Sequence, residues 1–418
     1  MTKHDSFAND ALYNTLGNIV YFFCLWLITV LVVRISGYDD AGILSVAMTT
    51  SNVFFVISNY GMRSYQASDV NNEFTDSQYI LSRYLTVFVG FASCIIFAIV
   101  SHYDMPHLIA IVWFMLFKSV EAFSDVLYGV MQKAHCLKIS GVSLCLKGIL
   151  SVLFFTLILF FSKNLSLALF GMFLSVLVIL IFYDIVKTRK ITKATFSIQL
   201  NNVYQSYKLL KKCFCMFIVS ISPMILQAIP KLQFERKYST EELGIYSSVS
   251  SPTIVIPTLV SCIMIPFLPL FAKYIQEKTP KKLLKLFLIF LGGVILLGTV
   301  TSLCSYFFGN KVLAILYGND LHGYSGLLIL VIISVTLTSL LYCFNSLFIS
   351  GRKLTLLAII YLATLIICYF STPNLIRRYG INGIALTLIF SQGLQCLLLL
   401  LFSIPFFLPY KERRLKNA

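Results

Sequence analysis

Charged residues are scarce in this chain, and acids are the scarcest. Lys, Arg, Asp and Glu together make up 12% of 418 residues, about half the share of a soluble domain. Long polar stretches are missing as well. The longest runs over about 187–212 and is basic, which leaves no room for a separate catalytic domain. No GxxxxGK[ST] loop occurs, so ATP hydrolysis by that route is excluded. The five histidines form no HExxH or similar cluster, and the 11 cysteines include no CxxC pair. Cys213 and Cys215 are one residue apart, which is neither a zinc nor a redox spacing. No catalytic residue, metal site or cofactor is expected.

What is present is apolar. Hydrophobic residues reach 58% and the mean hydropathy is +0.86. A helix satisfies its own backbone in lipid, and about 20 apolar residues cross the hydrocarbon. Twelve such stretches are expected, at 12–33, 41–61, 81–101, 107–131, 141–161, 166–186, 213–230, 243–271, 286–308, 324–349, 355–371 and 381–408. The fold expected is an all-α integral membrane protein. The 11 cysteines, mostly inside these stretches, read as small apolar residues.

Lys and Arg set the orientation. With the N-terminus inside, 24 of the 33 fall on inner segments, eight on outer ones, and Lys118 lies within a span. Both termini are therefore expected in the cytoplasm, including the basic tail at 411–418. The net charge of +16 then reflects topology and attraction to anionic membrane lipids, and no nucleic-acid partner is expected.

The chain repeats itself. Tyr38-Asp39-Asp40-Ala41-Gly42-Ile43-Leu44-Ser45 recurs as Thr240-Glu241-Glu242-Leu243-Gly244-Ile245-Tyr246-Ser247, about half a chain later. Two acids followed by x-G-I-x-S suit a helix start, where the dipole favours negative charge. The expected organisation is a six-helix bundle over 1–190, a basic cytoplasmic linker over 191–212 and a second six-helix bundle over 213–418. Halves of equal topology enclose a central cavity.

Several segments carry a resemblance. Glu121 to Lys133 reads E-x-x-x-D-x-x-x-G-x-x-Q-K, Ile265-Pro266-Phe267-Leu268-Pro269 ends the eighth span, and Gly380-Ile381-Asn382-Gly383-Ile384-Ala385 opens the twelfth. With the E-x-G-I-Y-S of the second half, these resemble the multidrug/oligosaccharidyl-lipid/polysaccharide exporter superfamily, and within it the Wzx-type polysaccharide flippases. The resemblance implies a bacterial inner-membrane flippase in O-antigen or capsule synthesis. Its implied substrate is an undecaprenyl-diphosphate-linked oligosaccharide, with a polysaccharide polymerase and chain-length proteins as partners. Two alternatives stand beside it: a cation-coupled multidrug exporter of the same fold, and a membrane polysaccharide polymerase. The first requires an acidic cavity, and the second an ordered catalytic outer loop.

Ionisable groups at bilayer depth are expensive and point to function. Lys118, Glu121 and Asp125 share one face of the fourth span, and Lys147 of the fifth is level with about residue 123. Lys147 is therefore expected to pair with Glu121 or Asp125. Arg63 and Arg34 end the second and first spans. Either they anchor those ends by snorkelling, or they bind a diphosphate. Arg63, Lys118, Lys147 and Arg34 are the substrate-binding candidates, with Arg63 expected beside Lys118. Glu121 and Asp125 are the ion-coupling candidates. Prolines 223, 230, 252, 257, 266 and 269 are expected to bend spans seven and eight.

Overall fold

The computed structural model describes residues 3–68, 73–134, 136–192, 201–318, 321 and 323–408. The linker residues 193–200 and the basic tail at 411–418 lie outside that set, as do the side chains of Pro266 and Pro269. Every regular element among the described residues is a helix. In order these are α1 (Lys3–Ser36), α2 (Tyr38–Asn59), α3 (Met62–Ser68), α4 (Asp76–Val100), α5 (Met105–Lys133), α6 (Leu137–Ser162), α7 (Leu165–Ile179) and α8 (Val186–Ile191). They continue as α9 (Asn201–Glu235), α10 (Thr240–Ser250), α11 (Val255–Gln276), α12 (Pro280–Tyr317), α13 (Ser325–Ser350), α14 (Leu354–Tyr379) and α15 (Asn382–Phe407).

Among the described residues, eleven stretches of helix are long and apolar enough to cross a membrane. The chain is a multi-pass membrane protein. The expected span at 107–131 is α5, which stands apart from those eleven. It is 29 residues long, carries Lys118, Glu121 and Asp125, and buries more than half of its residues. The expected eighth span is divided. A 3-10 turn over Ser251–Ile254, containing Pro252, separates α10 from α11, because proline supplies no amide donor to the α-helical ladder. Helix α9 runs without interruption through Pro223 and Pro230 and takes in residues 201–212 of the basic linker.

Contacts divide the chain into two units, Met1–Met224 and Ile225–Ala418. In the first, α5 is central and touches α2, α3, α4 and α7, while α1 lies along α6. The α1–α6 approach rests on glycine. A Cβ built on Gly17 would run into the backbone of Gly141, and one on Gly141 into the backbone of Tyr13. Small residues that let backbones meet are the usual device for packing helices in lipid.

In the second unit α13 is central, touching α11, α12 and α15. There α14 meets α9 through Cys368, Leu226 and Ile229. Each unit thus places its fourth long helix at the centre and its first against its fifth. Both copies of the repeated octapeptide open a helix. Asp39 and Asp40 occupy the first turn of α2, and Glu241 and Glu242 that of α10. Ser239 caps α10 by accepting from the Glu242 amide at 3.1 Å.

Gly141→Val should force α1 and α6 apart and cost about 1–3 kcal/mol or more. Gly292→Ala should be neutral, because nothing lies within 4 Å of its Cβ position. Thermal unfolding in detergent, followed by size-exclusion fluorescence, checks both. Equal melting temperatures for the two variants would remove glycine packing as the cause of the close approach.

Candidate functional site

The site is built on one stripe of α5. At 100° per residue, Lys118, Glu121, Asp125, Tyr128 and Gln132 fall within an arc of about 80° and extend about 21 Å along the axis. Helix α3 brings the first partner. Tyr60 and Gly61 adopt left-handed backbone, at φ 52° and 63°, and turn the chain from α2 back onto α5. Gly129 leaves room for this, since a Cβ there would collide with the Gln66 side chain of α3. Arg63 is thereby laid over the Gln132 end of the stripe. Its Nη1 donates to Asp125 Oδ1 at 3.2 Å, and its Nε to Gln132 Oε1 at 3.3 Å.

Asp125 serves two arginines. Its Oδ2 accepts from Nη2 of Arg83 at 3.1 Å. Arg83 also donates to the Ser58 carbonyl at 2.6 Å and to Asn59 Oδ1 at 3.0 Å. Counted from sequence as a topological charge at the inner edge of a span, Arg83 is instead a fully buried side chain of α4. Its acid lies on α5, out of reach of sequence reading.

Lys147 is paired, but not with the acid expected. Its Nζ donates to Asp184 Oδ2 at 2.5 Å, to Ser124 Oγ at 2.5 Å and to Tyr128 OH at 2.9 Å. Ser143 donates to Asp184 Oδ1 at 2.5 Å and contacts Tyr128 OH at 2.7 Å. Neither Glu121 nor Asp125 is its ion-pair partner among the described residues; Asp184 takes that place. Asp184 lies in a π-helical turn, Leu180–Ile185, that connects α7 to α8. Such a turn shifts the helical register locally and is common at functional sites. Sequence reading passes over Asp184, although it is an acid inside the expected span 166–186, and that position is the available signal.

Deeper along α5, Lys118 Nζ donates to Glu121 Oε2 at 2.8 Å. The ammonium also lies over the rings of Phe55, Phe117 and Phe114, at 5.0, 5.3 and 5.7 Å from their centroids. Among the described residues, Glu121 Oε1 is buried without a partner, as are both amide atoms of Gln66. Arg63 and Lys118 have separate acids, and about 10 Å of helix lies between Asp125 and Lys118. Arg34 is elsewhere. It is exposed in the last turn of α1, while Arg63 follows the far end of the 22-residue α2, about 33 Å along the helix.

Counted as ionised, the cluster holds four cations (Arg63, Arg83, Lys118, Lys147) and three acids (Glu121, Asp125, Asp184). Its accessible end is at Arg63 and Asp125, whose side chains are 31% and 21% exposed, against 2% and 0% for Lys147 and Asp184. Beside it, the loop carboxylate Glu73 accepts from Tyr65 OH at 3.0 Å and from Lys212. Those bonds hold Glu73 below the usual carboxylate range. The second unit links its central helix to its neighbours with uncharged groups. Ser334 donates to Gln392, Gln392 donates to Thr338 at 2.9 Å, and Tyr361 donates to Asn345 at 2.5 Å.

The chain matches the family model described as polysaccharide biosynthesis protein over residues 7–275. It is 25% identical over 389 residues to the capsular polysaccharide biosynthesis protein CapF of Staphylococcus aureus, covering 91% of this chain and 95% of that one. Among solved structures it resembles the lipid II flippase MurJ in an inward closed conformation. There the TM-score is 0.69 at 15% identity, over 96% of this chain and 87% of that one. It also resembles the Vibrio cholerae MATE transporter VcmN in the bent form, with a TM-score of 0.60 at 13% identity, over 96% and 98% of the two chains. The fold is the one these transporters share.

Lys147→Met should leave Asp184 buried and unpaired, lowering stability by about 3–5 kcal/mol. Adding Asp184→Leu should restore most of it, since an apolar pair of similar volume replaces a buried ion pair at little cost. Thermal melts of the single and double variants check this. A single variant as stable as the parent would show that the pair does not hold α6 to the π turn.

Proposed function

The chain belongs to the polysaccharide biosynthesis protein family, and on that premise we propose that it flips an undecaprenyl-diphosphate-linked oligosaccharide across the bacterial inner membrane. The observation that carries this reading is the accessible arginine. Arg63 is part-exposed, its Nη2 makes no hydrogen bond among the described residues, and Arg83 stands behind it on the same carboxylate. A diphosphate needs cations to offset its charge, and guanidinium binds it in a bidentate fork. A cluster with one cation in excess suits an anionic head better than a cationic drug. The name of CapF and the MurJ fold support a lipid-linked substrate, and the sugar-bearing head would move while the polyprenyl tail stays in lipid.

In this reading α5 is a twelfth span, despite its charges, because Lys118, Glu121 and Asp125 each have a partner within the bundle. The two six-span bundles proposed, 1–190 and 213–418 with residues 191–212 as the cytoplasmic linker, then work by alternating access. Lys118 and Lys147 serve as deeper positive stations, and Glu121 as the candidate for ion coupling. Arg34 belongs to the opposite end of α1 and acts as an exit-side cation.

Arg63→Ala should abolish surface polysaccharide at matched membrane expression. Arg63→Lys should restore only part of it, since lysine keeps the charge and loses the fork. Immunoblots of surface polysaccharide check this, and wild-type levels in the alanine strain would discard the role. The topology is tested separately. Reporter fusions at residue 190 and in the tail at residue 415 should both give cytoplasmic signals, and an extracytoplasmic signal at either would overturn the orientation.

A further inference from the structure

We propose that Asp125 occupies the position on Arg63 that a substrate diphosphate would take, and that loading is an exchange in which the diphosphate takes Arg63 from it. The inference rests on the reading of Arg63 as the diphosphate ligand and adds how that ligand is made available. All four cations of the cluster already have an acid within hydrogen-bonding distance. An incoming anion can meet the unbonded Nη2 of Arg63, but a fork that uses Nη1 as well competes with the Asp125 carboxylate for the same guanidinium.

Asp125 is the carboxylate fitted to be displaced. It is the most exposed acid of the cluster, at 21% against 11% for Glu121 and 0% for Asp184. Its two oxygens each take one arginine, at 3.2 and 3.1 Å, as two oxygens of a phosphate can. The arginines differ in how they are held. Arg83 is fully buried and has two further acceptors, Ser58 O and Asn59 Oδ1. Arg63 is 31% exposed, and its other hydrogen bond among the described residues is the 3.3 Å one to Gln132. Its bonds are longer than the roughly 2.7–2.9 Å of a tight charge-assisted contact. One arginine is built in and the other is exchangeable.

The sharing of one carboxylate between two arginines then has a physical reason. When Arg63 turns to the phosphate, Asp125 keeps Arg83, so no buried charge is left bare at any point. A one-to-one pair would strand its acid, which is the expensive outcome in a low dielectric. Return of Arg63 to Asp125 displaces the phosphate, so the same carboxylate that delays binding promotes release.

The test uses the full-length protein in phosphatidylcholine nanodiscs, with inorganic pyrophosphate as the probe and affinity read by calorimetry. Asp125→Asn should tighten pyrophosphate binding by roughly tenfold, the size of one charge-assisted bond no longer in competition, while lowering surface polysaccharide in cells through slower release. Gln132→Ala removes the other hydrogen bond of Arg63, whose guanidinium still lies over the Tyr128 ring at 5.8 Å, and leaves no bare charge. It should tighten binding in the same direction, and it serves where Asp125→Asn fails to fold. A structural defect would weaken binding, so a gain in affinity is specific to the exchange. If Arg63→Ala abolishes pyrophosphate binding but neither variant tightens it, the exchange is wrong and the Arg63 site stands. If Arg63→Ala binds pyrophosphate like the parent, the site itself is wrong and the exchange falls with it. Nanodiscs containing phosphatidylglycerol separate the two sources of phosphate. Complete loss of the pyrophosphate signal there would make a lipid headgroup the occupant and overturn the assignment to a diphosphate.

Discussion

A charge taken out of water loses solvation that only a close opposite charge and well-placed hydrogen bonds can replace. In the first unit that constraint decides which helices touch. The Asp125 carboxylate joins α3, α4 and α5, and Lys147 joins α6, α5 and the π turn before α8. The Asp125 contacts and the Lys147–Tyr128 bond are anchored on the stripe of α5, and Lys147 also reaches Ser124 on the same helix. The central position of that helix therefore has an electrostatic cause as well as a packing one. Its polar side chains have to be reached from several directions at once, and only the middle of a bundle offers that.

The two units resolve the same architectural problem with different chemistry. Around α13 the buried contacts are made by serine, threonine, glutamine, asparagine and tyrosine. Around α5 they are made by full charges. Uncharged hydrogen bonds hold helices together without favouring an ion of either sign. Charged contacts at a partly open end also create a place where an ion can compete.

Much of this is legible in the sequence, for reasons that can be located. Apolar runs declare helices in lipid, so the all-helical fold follows from composition. Lys118, Glu121 and Asp125 are readable as one polar face because ionisable residues at helical spacing are rare at that depth, and the motif from Glu121 to Gln132 carries the family resemblance. Each position of its motif does something specific in the structure. Glu121 holds Lys118, Asp125 holds two arginines, Gly129 admits Gln66, and Gln132 steadies Arg63. Partners across the bundle are not legible. Spacing gives depth and not direction, so it points Lys147 towards the acids of α5. Its true acid, Asp184, sits on a π turn whose shifted register leaves no mark in the hydropathy pattern. Arg83 looks like one more inner-side cation, since nothing local tells a loop arginine from one whose acid arrives 42 residues later.

The order of these partners along the chain bears on how the protein enters the membrane. A lone Lys or Asp at the centre of an inserting helix costs about 2.5–3.5 kcal/mol, so α5 is a poor candidate for partitioning on its own. Arg63 and Arg83 emerge from the ribosome before Asp125, so their acid arrives at a site already positive. Lys118 brings its own counter-charge three residues later. Lys147 has to wait until Asp184 is made, and in the interval Ser124 and Tyr128 on α5 are the groups able to solvate it. The bundle thus becomes comfortable in lipid only as neighbouring segments accumulate. Its biogenesis favours holding α3 to α8 together at the exit site of the insertion machinery rather than releasing them one at a time.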